Sequence, residues 1–379
     1  MQLETSRRIR GRSETAVVSE AAKAAWSKRN RDNDLEAAIA LIKSDGDLNE
    51  EGDNLTLLKM LFESERNADF QKCIIEAIGK LIASDLDPSP EYLTYLLHFS
   101  ERACLDPKTI DSLLEIAKRR CRESDEIKVA YSATLHRQKY RYSSAPEIRD
   151  RITIISIGLH CLPWALLNRW GWRHTADFHT CFNPFSLAVH RADGVVNALV
   201  SDFSDYFKTD ELLTVKSANG HVVVARKDRG AVWNHNKGEY WLKDDYLLLR
   251  ANMDWKIGNF RENCRRANPV FLLGNCLIDY PNEPLEFLEP LKKALASFTG
   301  REDNHIIITN QKMPPEGKYL HKVDDTTFFF FWPYPDKSYV WHDDDTADGR
   351  SGLIYERKYL SYLRYCLNRW GLVERPSNS

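Results

Sequence analysis

The chain has 379 residues, enough for two or three domains and for a sizeable core without covalent staples. Hydrophobic residues make up 43% and charged residues 28%, which excludes wholesale disorder, collagen-like repeats and a membrane bundle. With 53 Lys and Arg against 55 Asp and Glu, the formal charge is -2, so no global cationic field exists and nucleic acid is not expected as a partner.

Residues 1–32 are polar, rich in Arg, Ser and Glu, and read as a mobile arm with one helical stretch, Ala21 to Trp26. Arg7, Arg8, Arg10 and Arg12 stand there without the apolar core and small-residue cleavage site of a secretory signal. From 33 to 122 apolar residues recur at spacings of three and four, as in Leu57, Leu58, Met60, Leu61 and again Ile74, Ile75, Ile78, Leu81, Ile82. That pattern predicts amphipathic helices over 34–44, 53–64, 68–84, 90–102 and 107–121, divided by Asp, Gly, Asn and Pro punctuation. They read as an all-α helical-repeat or bundle domain with nothing catalytic on its polar faces, suited to holding a protein partner. Residues 123–150 read as a linker. Its run His136-Arg137-Gln138-Lys139-Tyr140-Arg141-Tyr142 could hold phosphates or stacked bases, but the neutral overall charge favours a solvated connector.

Strands come next, in 151–379: Ile152 to Ile157, Val270 to Leu273, Ile306 to Thr309 and Thr327 to Trp332. Helical patterns, such as Leu162 to Trp170 and Pro284 to Phe298, lie between several of them. The alternation predicts an α/β domain, layered, with a mainly parallel sheet flanked by helices. Leu167-Asn168-Arg169-Trp170-Gly171 and Leu367-Asn368-Arg369-Trp370-Gly371 read as two helix ends closed by a left-handed glycine rather than as a duplication. The eight cysteines are scattered with no CxxC pair, which argues against a zinc ribbon or a disulfide scaffold and for a reducing cytoplasm. No apolar stretch approaches the roughly 18 to 20 residues that cross a bilayer, so no transmembrane segment is expected.

The most informative stretch is Ile154-Ile155-Ser156-Ile157-Gly158-Leu159-His160-Cys161-Leu162-Pro163. A buried strand runs into a glycine turn, and a cysteine follows where the next helix begins, at the strand end where α/β sheets form their sites. Helix-end amides there favour a thiolate and could bind a developing oxyanion. The plain alternative is a small buried hydrophobe, the usual state of a free cysteine.

Ser156-Ile157-Gly158-Leu159-His160-Cys161, Asn183-Pro184-Phe185-Ser186, Val200 to Phe207 and Trp233-Asn234-His235-Asn236 occur in that order between about Arg151 and Asp344. This half of the chain resembles a domain family of unknown function described as predicted papain-like cysteine peptidases, often associated with bacterial surface polysaccharide. The family usually shows a Ser-Leu-Gly-x-x-Cys start, a Pro-Phe-Asp-Trp block and a later His-Asp pair. The resemblance implies Cys161 as nucleophile and His235 as its base. Here Ser186 and Leu187 replace the Asp and Trp of the second block, and Asn236 stands where an Asp is common. A ring-orienting role would therefore pass to a neutral amide or to another acid.

Asn275, at the end of a predicted strand, could donate to an oxyanion or simply close a turn. Gly158, His160, Asn183, Phe185, Asn236 and His342 are the expected substrate-binding positions. His342, beside Asp343 to Asp345, is also a reserve base. His174, His179 and Cys181 with Asp177 match no common zinc spacing, and no metal is expected. The leading functional expectation is cysteine-dependent acyl transfer, by a peptidase or esterase or by an acyltransferase on a saccharide or peptide, the last calling on an acyl-coenzyme A donor. Two other readings stand beside it: a sugar-nucleotide-dependent glycosyltransferase, whose metal pair would come from Asp343 to Asp345, and a non-catalytic binding module.

Overall fold

Helix starts in the first half follow local chemistry. Ser89, Asp106 and Ser124 each accept a hydrogen bond from a first-turn backbone N–H, and Pro90 and Pro107 occupy the following position, where a missing N–H costs nothing. The computed structural model describes residues 20–21, 24–25, 35–84, 87–158, 161–217, 220–228, 230–274, 280–336, 338–340 and 342–374. Apart from Glu20–Ala21 and Ala24–Ala25, which are helical, the expected arm lies outside the described residues.

The helices are α1 (Leu35–Asp45), α2 (Glu51–Glu63), α3 (Asn67–Ala83), α4 (Pro90–Arg102), α5 (Pro107–Arg120), α6 (Asp125–Ser143) and α7 (Ala145–Arg149). The first five agree with the sequence reading within two residues at each end. Their stripes, including Leu58, Leu61, Phe70, Ile74, Leu93, Leu97 and Leu113, share one buried core. That core also takes in Cys161, Trp164, Phe178 and Phe182 from the second half of the chain, so the two halves are packed together rather than tethered.

Residues 123–150, expected as a solvated linker, are mostly helix. In α6 the basic residues Arg137 and Arg141 are buried, at 0% and 2% exposure. They can be buried because carboxylates meet them. Arg137 contacts Glu101 at 2.8 Å and Asp348 at 2.6 Å, and Arg141 contacts Glu101 at 3.1 Å. Within the basic run Arg137 and Arg141 thus face inward, while Lys139 and Tyr142 remain exposed.

Beyond α7 come β1 (Thr153–Ser156), α8 (Leu162–Arg169), β2 (Val189–His190), α9 (Ala192–Val200), β3 (Leu212–Lys216), β4 (Val222–Arg226) and β5 (Ala231–Trp233). They are followed by α10 (Lys243–Cys264), β6 (Pro269–Leu273), α11 (Leu288–Thr299), β7 (His305–Asn310), β8 (Leu320–Lys322), β9 (Thr327–Phe331), α12 (Asp344–Ala347) and α13 (Arg350–Arg369). One sheet has the order β1-β6-β7-β9-β8, parallel except for β8. Successive strand residues enter two different cores. Ile155, Phe271, Leu273, Ile306, Ile308, Phe329 and Phe331 pack with α9, α10 and α11, while Val270, Leu272, Ile307, Phe328 and Phe330 pack with α8 and α13. This two-sided burial is why the centres of β1, β6, β7 and β9 are continuously apolar.

A second, antiparallel sheet has the order β2-β5-β4-β3. Its strands, two to five residues long, were not found from the sequence. Both echoed helix ends are glycine caps: Gly171 and Gly371 have φ near +74° and +72°. In each the next residue reaches back to a carbonyl, Trp172 N–H to Leu167 and Leu372 N–H to Leu367. Among the described residues no helix is long and apolar enough to cross a membrane.

A buried ionic seam joins the halves. His98, Glu101 and Arg102 of α4 and Arg137 and Arg141 of α6 meet Arg169 of α8, Asp344 and Asp348 near α12, and Glu356 of α13. His98 Nδ1 lies 3.1 Å from Asp344 and Nε2 2.9 Å from Asp348. Carboxylates on both nitrogens require both to donate, which only the imidazolium can do. Burial would lower its pKa, but the two aspartates outweigh it and raise the value from 6.5 to about 9.

The folded value lies above the unfolded one, so His98 contributes fully below pH 6.5 and its contribution is lost as pH rises through about 9. The contribution is on the order of 3 kcal/mol. The melting temperature of the native protein should therefore fall between these two pH values, and His98→Gln should melt lower at pH 6 and lack the decline. An unchanged slope in the variant would remove His98 as the cause.

Candidate active site

Strands β1 and β6 end side by side at the candidate site, and backbone hydrogen bonds hold the turns beyond them. Ile157 N–H donates to the Leu272 carbonyl at 2.9 Å, and Gly274 N–H to the Gly158 carbonyl at 3.3 Å, so the β1–β6 association continues past the strands. Gly158 has φ +124°, and a Cβ there would lie 2.8 Å from Val195 Cγ2. A Cβ on Gly274 would lie 2.8 Å from the Pro163 ring. Only glycine permits either approach. The turn then delivers Cys161 at the residue preceding α8, in αR conformation and with no side-chain capping bond.

The antiparallel sheet delivers the other partner. Trp233 at the end of β5 is fully buried against Tyr206 and Phe207 and fixes the strand exit. Asn236 N–H then donates to the Trp233 carbonyl at 3.2 Å, closing a turn that carries His235. His235 Nε2 lies 3.3 Å from Cys161 Sγ, across 74 positions of sequence. The structure thus brings together the two residues that the sequence reading paired.

The electrostatics differ from the sequence expectation. Cys161 is 5% exposed. Burial pushes its thiol up to about 12, and its own backbone amide and Lys237 only partly oppose the rise. Burial likewise drives His235 down to about 4, with Glu65 opposing and Lys237, Lys256 and His342 reinforcing the fall. The expected helix-stabilised thiolate is therefore corrected: desolvation exceeds the pull of the amides, and the pair rests as a neutral thiol against a neutral imidazole.

Glu65, the carboxylate acting on His235, comes from the helical half. It stands between α2 and α3 with φ +56°, and Arg66 N–H reaches back to the Leu61 carbonyl at 3.0 Å. This is a helix-end motif whose left-handed residue is usually Gly, so a glutamate there carries backbone strain of about 1 kcal/mol. Its Oε2 lies 2.6 Å from Lys256 Nζ of α10, a pair whose side chains are 4% and 1% exposed. The sequence reading found nothing catalytic in this half. The available signal was the missing glycine at the Ser64-Glu65-Arg66 helix end.

The other candidates are dispersed. Asn183 and Phe185 are buried behind Cys161: Asn183 Nδ2 donates to the Ser156 carbonyl at 3.1 Å and its Oδ1 accepts from Phe185 N–H at 2.9 Å. Phe185 packs on His190, Phe203, Tyr206 and Phe260. Both brace the corner instead of lining an opening, and Gly158 acts through its backbone. Asn236 is fully buried, and neither side-chain amide atom has a hydrogen-bond partner among the described residues. His342 is exposed and near enough for its charge to act on His235. Tyr334, missed in the sequence, is near enough to feel the Cys161 sulfur. His160 and Asn275 lie outside the described residues.

The metal-like grouping is separated by its partners. His174 contacts Asp150, His179 packs at a tilt against Trp255, Asp177 pairs with Arg266, and Cys181 donates to the Phe178 carbonyl. Asp344, in the expected metal pair of a glycosyltransferase, is held by His98 and Arg102. Among the described residues no group of three or more His, Cys, Asp or Glu could hold a metal ion. Comparison of the chain with protein-family models, curated proteins and solved structures finds no match.

A neutral pair has a kinetic signature. The thiol ionises only near pH 12 and the imidazole is unprotonated above about 4, so haloacetamide labelling of Cys161 in His235→Gln, where only the free thiolate can react, should rise about tenfold per pH unit from pH 5 to 8, whereas the native protein, with His235 taking the proton, should label at a nearly constant rate. A native rate that climbs in parallel with the variant would show that His235 takes no part in removing the proton.

Proposed function

We propose that the protein is a cysteine-dependent acyl-transfer enzyme in which Cys161 is the nucleophile and His235 its general base. The observation that carries this reading is the 3.3 Å contact between Sγ and Nε2 at the strand ends. Its setting would be a layered α/β unit, with the sheet covered by helices on each side. The resemblance of the corner to predicted papain-like peptidases points the same way and suggests a polysaccharide-related substrate.

As Sγ attacks a carbonyl carbon, His235 Nε2 takes the thiol proton and the carbonyl electrons move onto oxygen. The Cys161 amide would donate to that oxyanion. Collapse expels the leaving group, which takes the proton from His235, and leaves an acyl thioester on Cys161. Water or a sugar hydroxyl then attacks the thioester, His235 accepting its proton and returning it to sulfur. Water makes the protein a peptidase or esterase, and a hydroxyl makes it an acyltransferase, with an acyl-coenzyme A as donor. Glu65 would act through His235 as a positioning residue, since its charge favours the imidazolium that forms in each step. It is the other acid that the absent family aspartates call for.

p-Nitrophenyl acetate tests the first step without a known substrate. One acetyl group should appear on the peptide containing Cys161 and be absent in Cys161→Ala, and His235→Gln should slow acylation by about 10² to 10⁴. Equal acetylation of the other cysteines would remove the assignment.

Glu65 is tested separately, in a Glu65→Gln/Lys256→Met double variant that leaves no unpaired buried charge. Because Glu65 raises the His235 value and Lys256 lowers it, the comparison is with Lys256→Met alone, relative to which loss of the carboxylate should move the acid-side inflection of the acylation rate to lower pH. An unmoved inflection with a native melting temperature would limit Glu65 to a structural role.

A further inference from the structure

At the opposite end of α8 from Cys161, a cavity of about 170 Å³ opens between the two halves of the chain. Arg141, Arg149, Arg173 and His174 line it, with Asn168 and Thr175. The cations outnumber the acids available to them. Arg141 shares Glu101 with Arg137. Arg149 and His174 share Asp150, at 3.3 and 3.2 Å. Arg173 has no carboxylate partner among the described residues: its Nη1 donates to the Trp164 carbonyl at 2.9 Å and to Asn168 Oδ1. Asp106, the acid among the lining residues, is engaged as the cap of α5, accepting from Lys108 N–H, Thr109 N–H and the Thr109 hydroxyl.

We propose that this cavity binds a small tetrahedral oxyanion, a phosphate group, through the guanidiniums of Arg173 and Arg149, with His174 beside them. Planar guanidinium forks match the paired oxygens of phosphate, and Arg173 retains Nε and Nη2 without an acceptor among the described residues. Burial, opposed by Glu101 and aided by Arg137, lowers the Arg141 pKa from its ordinary value, the mark of a guanidinium short of negative charge. The volume is well below the roughly 300 Å³ at which sites for drug-sized ligands begin. A nucleotide or sugar ring therefore stays outside, and the anion is either the free ion or the tip of a phosphate monoester. The site is separate from the Cys161–His235 pair, so it stands or falls independently of the catalytic reading.

The test is a titration of the full chain with inorganic phosphate at constant ionic strength, balanced with sodium chloride. The melting temperature should rise saturably with phosphate and not with chloride. Isothermal titration should give one site, and Arg173→Gln and Arg149→Gln should each weaken it at least tenfold. Glycerol phosphate that competes with phosphate would identify a monoester tip, and glycerol phosphate that fails to compete would identify the free ion. Absence of a saturable shift in the native protein, or phosphate responses in both variants equal to the native one, would overturn the proposal. Arg149, on the short helix α7, bonds to its chain neighbour Asp150, so its variant keeps the test valid if Arg173→Gln fails to fold.

Discussion

Charge sealed inside the molecule, between α4 and α6 on one side and α8, α12 and α13 on the other, is the constraint on which the rest of the structure depends. Four arginines and the His98 imidazolium meet four carboxylates there, largely out of contact with water. Such a seam adds little net stability, because desolvation offsets attraction, yet removing one member costs about 3–5 kcal/mol by stranding its partner. Its value is geometric. Arg169 and the Trp170 indole both bind Glu356, which fixes the C-terminal end of α8 and, through that short helix, the position of Cys161 at the other end.

The same physics governs the candidate site. The sulfur and the imidazole lie where water is scarce, and scarcity penalises either charge more than the nearby amides and lysines relieve it. The arrangement suits a nucleophile that sheds its proton only as a bond forms, with the neighbouring imidazole unprotonated and ready at neutral pH. A carboxylate held in a left-handed turn of the helical half supplies the opposing field. The helices are thus part of the site and its surroundings, not a detachable accessory.

Much of this organisation was legible in the sequence where one local rule decided the outcome. Apolar spacing located α1 to α5, because amphipathic helices must show their buried stripe. Continuous apolar runs located β1, β6, β7 and β9, because strands covered on both faces have no polar side. The glycine turn before Cys161 was legible as strand-to-helix chemistry, and the pairing with His235 came from the resemblance of its surrounding residues. What stayed hidden depended on partners distant in sequence. Arg137 and Arg141 look like surface residues until Glu101, Asp348 and Glu356 are set against them. The short strands β2 to β5 take their identity from each other, and Glu65 is an ordinary acid until folding sets it against Lys256. The ionisation of Cys161 was misjudged for the same reason, since burial depends on everything that covers the group.

The ionic seam also imposes an order on biosynthesis. His98, Arg102 and Arg137 leave the ribosome well before Asp344 and Asp348, the acids they bind 211 to 250 positions later. At ordinary translation rates the interval is roughly 10 to 50 s. During it the seam-forming faces of α4 and α6 carry His98, Arg102, Arg137 and Arg141, with Glu101 as the acid already in place. They cannot close over that charge, so the final docking waits for the last helix to emerge, and a premature stop before α12 would release a chain with an unneutralised basic face.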